Sequence, residues 1–299
     1  MNTFEFSGTK IFSKTPYDRA HHLIGKSVKE KRKFLSSKNN YPRLLYKYKD
    51  CSNSDYLRSL IVDSHFYMSG RQQLNDPFDI QSVIEFSAGG VNRTEYLNNL
   101  VKTHGLTYKK RQELRARFES PNEIQNHIRD YLTNAINGTG IHSFSTSPSN
   151  LLLWSHYGKS HTGVCLVFNT ARDLDTFVTI LPVNYSHFFP VIHYTQGIAG
   201  DLIKNAFLTK SLDWKYEDEW RLFEPKKAGH LMSYNSKSLV GVILGARISD
   251  KDKLMVFGLL KERKQRRLHT PWVYQAKCSS TAYEVEFNRI LVKDALATR

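Results

Sequence analysis

The chain of 299 residues changes its pattern of apolar and polar positions near Gly138. From about residue 92 to residue 137, apolar side chains recur at helical spacing, which is typical of helices that bury one face. The apolar positions of the last helix are Ile124, Ile128, Leu132 and Ile136. Beyond Gly138, short runs rich in Val, Ile, Phe and Tyr predict strands instead.

Start and stop signals delimit that last helix. Ser120 is placed to cap its amino end, Pro121 takes the first helical position, and Glu123 completes a capping box. Gly138 follows the last turn, where helices commonly end. The Arg-rich segment before it, at 108–117, is expected to lie mostly on solvent-facing sides.

Strand character begins at 42–50 and 64–70 and dominates the second half of the chain. The predicted strands of that half lie at 140–148, 161–168, 177–185, 189–194, 219–225, 238–244, 271–278 and 283–290. Further helices are predicted at 18–34, 199–210 and 249–265. Because strands outnumber helices, the sequence predicts an α+β fold. We expect a mostly antiparallel sheet with a helical insertion at about 92–137 and peripheral helices.

The domain organisation follows from composition. Residues 1–40 are polar and basic and predict an N-terminal arm, followed by one α+β domain over 41–299. No apolar run approaches the ~20 residues that a membrane span needs, so no membrane partner is predicted. The first residues lack the apolar core of a signal peptide, and we therefore expect a cytoplasmic protein.

The formal net charge of +15 is large for this length. Lysine and arginine cluster at 26–38, 108–117 and 261–267. Such an excess attracts polyanions, so nucleic acid is a candidate partner. The alternative is that the clusters are solvated helix faces, since none is interleaved with aromatic residues as in a single-strand groove.

Metal and nucleotide motifs are sparse. Cys51, Cys165 and Cys278 form no CxxC pair, which argues against a zinc ribbon or a disulfide framework. His156 and His161 do not match the helical spacing of metal ligands, and no metal is predicted. The chain also lacks a GxSxG elbow, a P-loop and a Rossmann glycine fingerprint.

The segment WSHYGKSHTGVCLVF places many hydrogen-bonding side chains directly before an apolar strand. A loop ending at Gly158 would present Trp154, His156 and Tyr157 at the rim of a pocket, with His161 nearby. Histidine titrates near neutrality, so His156 is a candidate acid, base or donor. The alternative is that Trp154 and Tyr157 belong to the core and His156 binds backbone.

The segment LDWKYEDEWRLF carries a second candidate site. If residues 216–223 are extended, Glu217, Glu219 and Arg221 point to the same side. One glutamate is then a candidate base whose pKa is set by Arg221, and the alternative is an ordinary cross-strand charge ladder. The candidate ligand contacts beside the acidic pair are Trp214 and Tyr216.

Two further segments carry candidate ligand contacts. Lys47 lies among aromatic residues in LLYKYKD and is placed to meet an anion. In NDPFD, Asp76 and Asp79 are interpreted first as turn residues, with helix capping or ligand binding as the alternative.

Several segments, taken in chain order, resemble the bacterial family catalogued as domain of unknown function 2971. They are LYKYKD, SGRQQLNDPFD, FSTSPSNLLLWSHYGKSHTGVCLVF, DWKYEDEWRLF and VILGARIS. The resemblance runs from about Leu44 to Ser249. Members of this family are often found near phage-defence genes, which implies a role as a defence effector.

A second, weaker similarity is to arginine-type ADP-ribosyltransferases. Arg43 before a strand, Ser145-Thr146-Ser147, and Glu217-Asp218-Glu219 follow the chain order of that family's motifs. The resemblance implies NAD as a substrate, with Arg43 or a lysine neutralising its pyrophosphate. It also implies that the Ser145 strand braces the nicotinamide ribose and that Glu219 stabilises an oxocarbenium-like sugar. The spacing from Arg43 to Ser145 is long for this family.

Three functions therefore stay open. The first is an NAD-using transferase or glycohydrolase with Glu219, Glu217 and His156 as catalytic residues. The second is a nucleic-acid binder, or a metal-independent nuclease that uses His156, His161 and Arg221. The third is a non-catalytic sensor or antitoxin-like partner that binds another protein of a defence system.

Overall fold

The computed structural model describes residues 26–36, 41–86, 91–104, 107–194 and 200–291. The strands are β1 (Leu44–Lys49), β2 (His65–Met68), β3 (Val83–Phe86), β4 (Gly140–Ser145), β5 (Val164–Asn169), β6 (Leu181–Pro182), β7 (Asn184–Ser186), β8 (Val191–Tyr194), β9 (Thr209–Ser211), β10 (Glu219–Glu224), β11 (His230–Ser233), β12 (Leu239–Leu244), β13 (Trp272–Cys278) and β14 (Val285–Ile290). The helices are α1 (Val28–Ser36), α2 (Ser54–Arg58), α3 (Arg93–His104), α4 (Tyr108–Arg117), α5 (Pro121–Gly138), α6 (Leu151–His156), α7 (Leu174–Phe177), α8 (Gly200–Leu208) and α9 (Asp250–Gln265).

An eight-stranded sheet forms the centre of the fold, in the order β14-β13-β12-β5-β1-β4-β10-β6. Its neighbouring strands are antiparallel except for β12 and β13, which are parallel. The predicted α+β class with a mostly antiparallel sheet is therefore confirmed. The helices α3, α4 and α5 confirm the predicted insertion.

The two faces of the sheet bury different clusters because successive side chains of a strand point to opposite sides. On one face, Leu45, Phe144 and Phe168 pack with Phe66 and with the apolar side of α9. On the other face, the buried residues include Tyr48, Trp154, Cys165, Val167 and Ile243. Antiparallel pairing fixes which residues share each face, and it thereby brings distant segments of the chain together.

Helix α5 joins the insertion to the sheet. Its amino end carries the predicted capping box: the Ser120 Oγ accepts a hydrogen bond from the Glu123 N–H, and a Glu123 carboxylate oxygen accepts one from the Ser120 N–H. The four apolar residues that share its face are all buried. The first three pack among the helices of the insertion, whereas Ile136 packs against the sheet residues Ile141 and Phe223.

Some predicted elements have different bounds. The single strand predicted over 177–185 is instead the end of α7 followed by β6 and β7, because the Asp173 carboxylate caps α7 and Phe177 is drawn into the core. The helix predicted over 199–210 ends at Leu208 and continues as β9, which pairs with β7. Of the helix predicted at 18–34, the described part is α1, and residues 1–25 lie outside the described residues.

The division into an arm over 1–40 and a domain over 41–299 stays a prediction. In the described part of the arm, Lys31 of α1 is buried and forms an ion pair with Asp175 of α7. None of the helices in the described ranges is both long and apolar enough to cross a membrane.

Replacement of Leu132 by alanine should lower the free energy of unfolding by about 2–5 kcal/mol, because the side chain is completely buried and its loss leaves a cavity. Urea denaturation measures the change. The exposed Asn134 of the same helix gives a matched control, since Asn134→Ala should alter stability by no more than about 0.5 kcal/mol. Equal effects of the two substitutions would contradict the packing of α5.

Candidate functional site

Two neighbouring strands of the sheet separate, and a pocket opens where they part. β1 pairs with β5 along its whole length but pairs with β4 through Tyr46 and Ser145. Beyond this pair, Ile141 of β4 bonds instead to the backbone of Ser69. Lys47 reaches across the gap, and its Nζ donates to a carbonyl oxygen of β4 at 2.9 Å. Backbone groups at such an opening need side chains, water or a ligand as partners.

The pocket has a volume of about 440 Å³, which is in the range of small-molecule sites. Its walls are the diverging segments 46–50 and 141–145, the helix α6, and the turn at 73–75. The acidic side chains of Glu217 and Glu219 line it from within. The tyrosines that line it are Tyr46, Tyr48, Tyr56, Tyr67 and Tyr157.

A buried cluster of five charged side chains lies at the acidic side of the pocket, and each member is at most 5% exposed. Arg221 binds Asp79 with two nitrogens, at 2.6 and 2.9 Å, and Glu219 with two nitrogens, also at 2.6 and 2.9 Å. The Lys210 Nζ lies 2.5 Å from a Glu217 oxygen and 3.1 Å from a Glu219 oxygen. Three carboxylates therefore share two cations away from bulk water.

The two glutamates of the pocket have opposite pKa shifts. Burial raises the pKa of Glu217, and the nearby Lys210 ammonium offsets this only in part. Burial also acts on Glu219, but Arg221 and Lys210 outweigh it and hold the pKa of Glu219 well below its usual range. Glu219 is therefore held in its ionised form, whereas Glu217 is the more readily protonated of the two.

Lys47 and Tyr157 complete the polar lining. Burial, helped by the neighbouring Lys49, lowers the pKa of Lys47 to about 8. The Tyr157 hydroxyl donates to a Glu217 oxygen at 2.6 Å, and burial together with that carboxylate raises the pKa of Tyr157. Asn75 Nδ2 donates to the same hydroxyl at 3.2 Å. A cation, a phenol and two carboxylates thus converge on one cavity.

Trp154 and His156 lie in the short helix α6 and not in the predicted loop, and a turn through Tyr157 and Gly158 follows the helix. Asn150 caps α6 by accepting hydrogen bonds from two backbone N–H groups, which starts the helix. Trp154 is fully buried, donates from its indole to the Pro148 carbonyl, and stacks on His161. A Cβ at position 158 would lie 2.7 Å from the Trp154 carbonyl oxygen, so only glycine fits there. These contacts fix α6 and aim Tyr157 into the pocket.

The sequence analysis treated residues 216–223 as extended, but the segment is not continuously extended. A 3-10 helix runs over Leu212–Glu217, and the left-handed backbone of Asp218 turns the chain into β10. The turn at Asp218 nevertheless leaves the Glu217 and Glu219 side chains on the same side of the chain, and both carboxylates contact the Lys210 ammonium. The arrangement is a compact buried cluster and not a cross-strand ladder along a surface.

Half of the sequence-predicted site residues line the pocket, and they come from five separate elements. These residues are Lys47, Ser145, His156, Tyr157, Glu217 and Glu219. His156 is exposed at the rim, and its ring lies 6.3 Å from that of Tyr216 and 6.5 Å from that of Trp214. Those two aromatic residues pack behind His156 and do not line the cavity.

The other predicted residues lie elsewhere. The Arg43 side chain is exposed at the start of β1, where its carbonyl accepts from Thr170 N–H, so Arg43 does not reach the pocket. Trp154 and His161 pack against each other, which agrees with the core interpretation of Trp154. Arg221 lies in the buried cluster and reaches the pocket only through its carboxylate partners.

Sequence reasoning missed two members of the buried cluster. Asp79 was interpreted as a turn residue, and the segment around it does form a turn in which the Phe78 N–H binds Asp76. Lys210 was assigned to a helix, but it lies on β9 and points inward. Asp79 and Arg221 are 142 residues apart in the sequence. No local pattern therefore indicated that Asp79 would contact Arg221 and Lys210.

Residues 153–222 match a family model described as "Protein of unknown function (DUF2971)". The predicted resemblance is thus confirmed over a segment that includes most of α6 together with Glu217 and Glu219. No curated protein and no solved structure matches the chain. Among the described residues, no group of three or more His, Cys, Asp or Glu side chains is arranged to hold a metal ion.

Replacement of Arg221 by methionine should lower the free energy of unfolding by about 3–5 kcal/mol, because Asp79 and Glu219 would keep their buried charges without their main partner. Chemical denaturation measures the loss. Arg43→Met removes an exposed guanidinium from the same sheet and should change stability by about 0.5 kcal/mol or less. A small effect at both positions would show that the cluster does not hold the fold together.

Proposed function

We propose that the pocket binds NAD and breaks the bond between nicotinamide and ribose, so that the protein is an ADP-ribosyltransferase-like enzyme or an NAD glycohydrolase. The observation that carries this proposal is the register of three adjacent strands. Tyr46 of β1 pairs with Ser145 of β4, and Ser145 pairs with Glu219 of β10. Two motif residues of the resemblance, Ser145 and Glu219, are therefore neighbours at one pocket although they lie far apart in the sequence, whereas Arg43 lies outside it.

The chemistry requires a negative charge beside the sugar. As the C–N bond breaks, its electron pair leaves with nicotinamide and positive charge develops on the ribose. A carboxylate that is already ionised and held in place stabilises that charge without having to reorganise. Glu219 has this character, because Arg221 and Lys210 keep it ionised and fix both of its oxygens.

Glu217 is the proposed proton acceptor. Water, or the acceptor group of a target molecule, forms the new bond to the ribose carbon and must lose a proton as it does so. Glu217 in its ionised form takes that proton, and its raised pKa brings it nearer to neutral pH, where such a base is most effective. The hydrogen bond from Tyr157 keeps the carboxylate oriented.

The remaining lining suits a dinucleotide. Lys47 supplies a cation inside the pocket, the role that the resemblance assigned to Arg43 or a lysine. The lining tyrosines offer flat faces for the rings of the ligand.

A role as a defence effector is a further part of this proposal and comes from the resemblance to the family.

Glu219→Gln should lower the rate of NAD cleavage by about 100-fold or more, because the fixed charge beside the ribose is lost. The measurement is nicotinamide release by mass spectrometry, with and without RNA, DNA and cell lysate as sources of acceptors. Glu224→Gln, on the same strand but outside the pocket, should keep its activity.

Substitution of Glu219 also removes a buried ion-pair partner of Arg221, which is expected to lower the stability of the variant. The assay must therefore run below the melting temperature of each variant, as followed by circular dichroism. His156→Ala tests the rim separately, since unchanged activity would remove this residue from the site. Intact NAD with the folded, unmodified protein under all conditions would contradict the proposal.

The pH dependence of kcat/KM should report Glu217. The ionised form of Glu217 is the active one, so kcat/KM should fall as pH decreases through the pKa of Glu217. The midpoint of this acidic limb of the pH profile should lie above 4.5, the ordinary pKa of a glutamate. Tyr157→Phe removes a hydrogen bond that favours the ionised form, and the limb should then move to higher pH. The exposed Tyr283 gives a control, because Tyr283→Phe should leave the limb in place.

Binding of nucleic acid is the second candidate, and α4 favours it. Every residue of α4 except Leu114 is exposed, and Lys109, Arg115 and Arg117 contribute to its positive charge. Salt-sensitive binding of RNA or DNA together with intact NAD would support this alternative. Since His161 and Arg221 do not line the pocket, a nuclease would have to act without them.

Absence of both NAD cleavage and nucleic-acid binding would favour the third function, a non-catalytic partner of another protein.

A further inference from the structure

A second pocket, of about 490 Å³, lies apart from the candidate active site and shares no residue with it. Its lining comes from three chain segments: the 3-10 helix Thr170–Arg172, the 3-10 helix Ser236–Ser238, and the residues that follow α9. The lining residues are Arg172, Lys237, Arg267, Leu268 and His269. Because β5 ends and β12 begins beside these segments, the pocket adjoins one end of the central sheet.

The buried guanidinium of Arg263 links two of the three lining segments to each other. It is 0% exposed and donates to the carbonyl oxygens of Ile61, Ser236 and His269. Two of these carbonyls belong to the segments that carry Lys237 and His269. Arg263 belongs to the basic sequence cluster at 261–267, but its guanidinium is buried and binds backbone carbonyls. It therefore positions the pocket residues instead of adding to the surface charge.

The pocket contains cations without carboxylate partners. In the described part of the chain, no ion pair forms with Arg172, Lys237 or Arg267, and all three side chains are exposed. The neighbouring Asp173 is turned away, since its oxygens accept from the backbone N–H groups of Thr176 and Asn235. Three like charges therefore face one cavity without compensation.

His269 orients one of these cations. Arg172 Nη1 donates to His269 Nε2 at 2.9 Å and to the Lys237 carbonyl at 3.4 Å. Because arginine can only donate, the imidazole accepts and is neutral in this contact. The remaining N–H groups of the guanidinium stay available, and a guanidinium fork matches the oxygens of a phosphate.

We propose that this second pocket is a binding site for a phosphate group, held by Arg172, Lys237 and Arg267. The ligand is a phosphorylated anion, either a free nucleotide phosphate or a phosphate of a nucleic-acid strand. Uncompensated cations on a rigid framework favour such an anion over a neutral molecule, and they make its binding sensitive to salt. The site does not depend on the function proposed for the first pocket.

The test is titration calorimetry with inorganic pyrophosphate, ADP and a short DNA oligonucleotide at low and moderate salt. The pocket variant combines Arg172→Gln, Lys237→Gln and Arg267→Gln. Its control combines Lys251→Gln, Lys261→Gln and Lys264→Gln, which removes the same charge from exposed positions of α9 outside the pocket. We expect the pocket variant to bind pyrophosphate at least about tenfold more weakly, and the control to change little.

The comparison of probes identifies the source of the phosphate. Loss of ADP binding in the pocket variant indicates a nucleotide, and loss of oligonucleotide binding indicates a strand. Equal weakening in both triple variants would overturn the proposal, because it would mean that only the overall charge matters. Absence of binding by the unmodified protein would overturn it as well.

Two further variants keep the outcome decisive. If Lys47→Met weakens pyrophosphate binding and the pocket variant does not, the anion binds in the first pocket and the proposal is wrong. If the triple pocket variant fails to fold, Lys237→Gln alone replaces it, since this side chain is exposed and its removal leaves the Arg263 framework intact. Thermal unfolding of every variant separates lost binding from lost structure.

Discussion

The pairing of Arg221 with Asp79 and Glu219 is the interaction on which the rest of the site depends. A buried charge without a partner destabilises a protein strongly, so the turn at Asp79, strand β9 and strand β10 must meet for the cluster to form. Lys210 then links Glu217 to the same cluster. The acidic side of the pocket is thereby fixed to the sheet.

That constraint also distinguishes the two glutamates. Glu219 is bound by two cations and stays ionised, whereas Glu217 has one cation and a tyrosine and retains a raised pKa. The parting of β1 from β4 gives a ligand access to both. A fixed charge, a carboxylate that protonates more readily and an open cavity suit a reaction with a cationic transition state, and they support the function proposed from the strand register.

Local sequence predicted some parts of the site well. Gly158 and the aromatic residues before it marked a segment that shapes a pocket, and Tyr157 does line that pocket. The same pattern could not separate Tyr157 from Trp154, because both are amphipathic aromatic residues at one end of a strand. In the basic cluster at 261–267, nothing local distinguished the buried Arg263 from its exposed neighbours, since its partners are backbone carbonyls far away in sequence.

The sequence by itself determined the α+β class, the helical insertion, the capping box of α5 and the resemblance over 153–222, because these rest on periodicity, capping chemistry and contiguous motifs. The tertiary structure decided which charges are buried. Asp79, Lys210 and Arg221 meet only through strand pairing and chain reversal, and Arg43 lies away from the pocket because it precedes the strand that forms the wall. Charge pairing acts through space, and no short stretch of sequence records it.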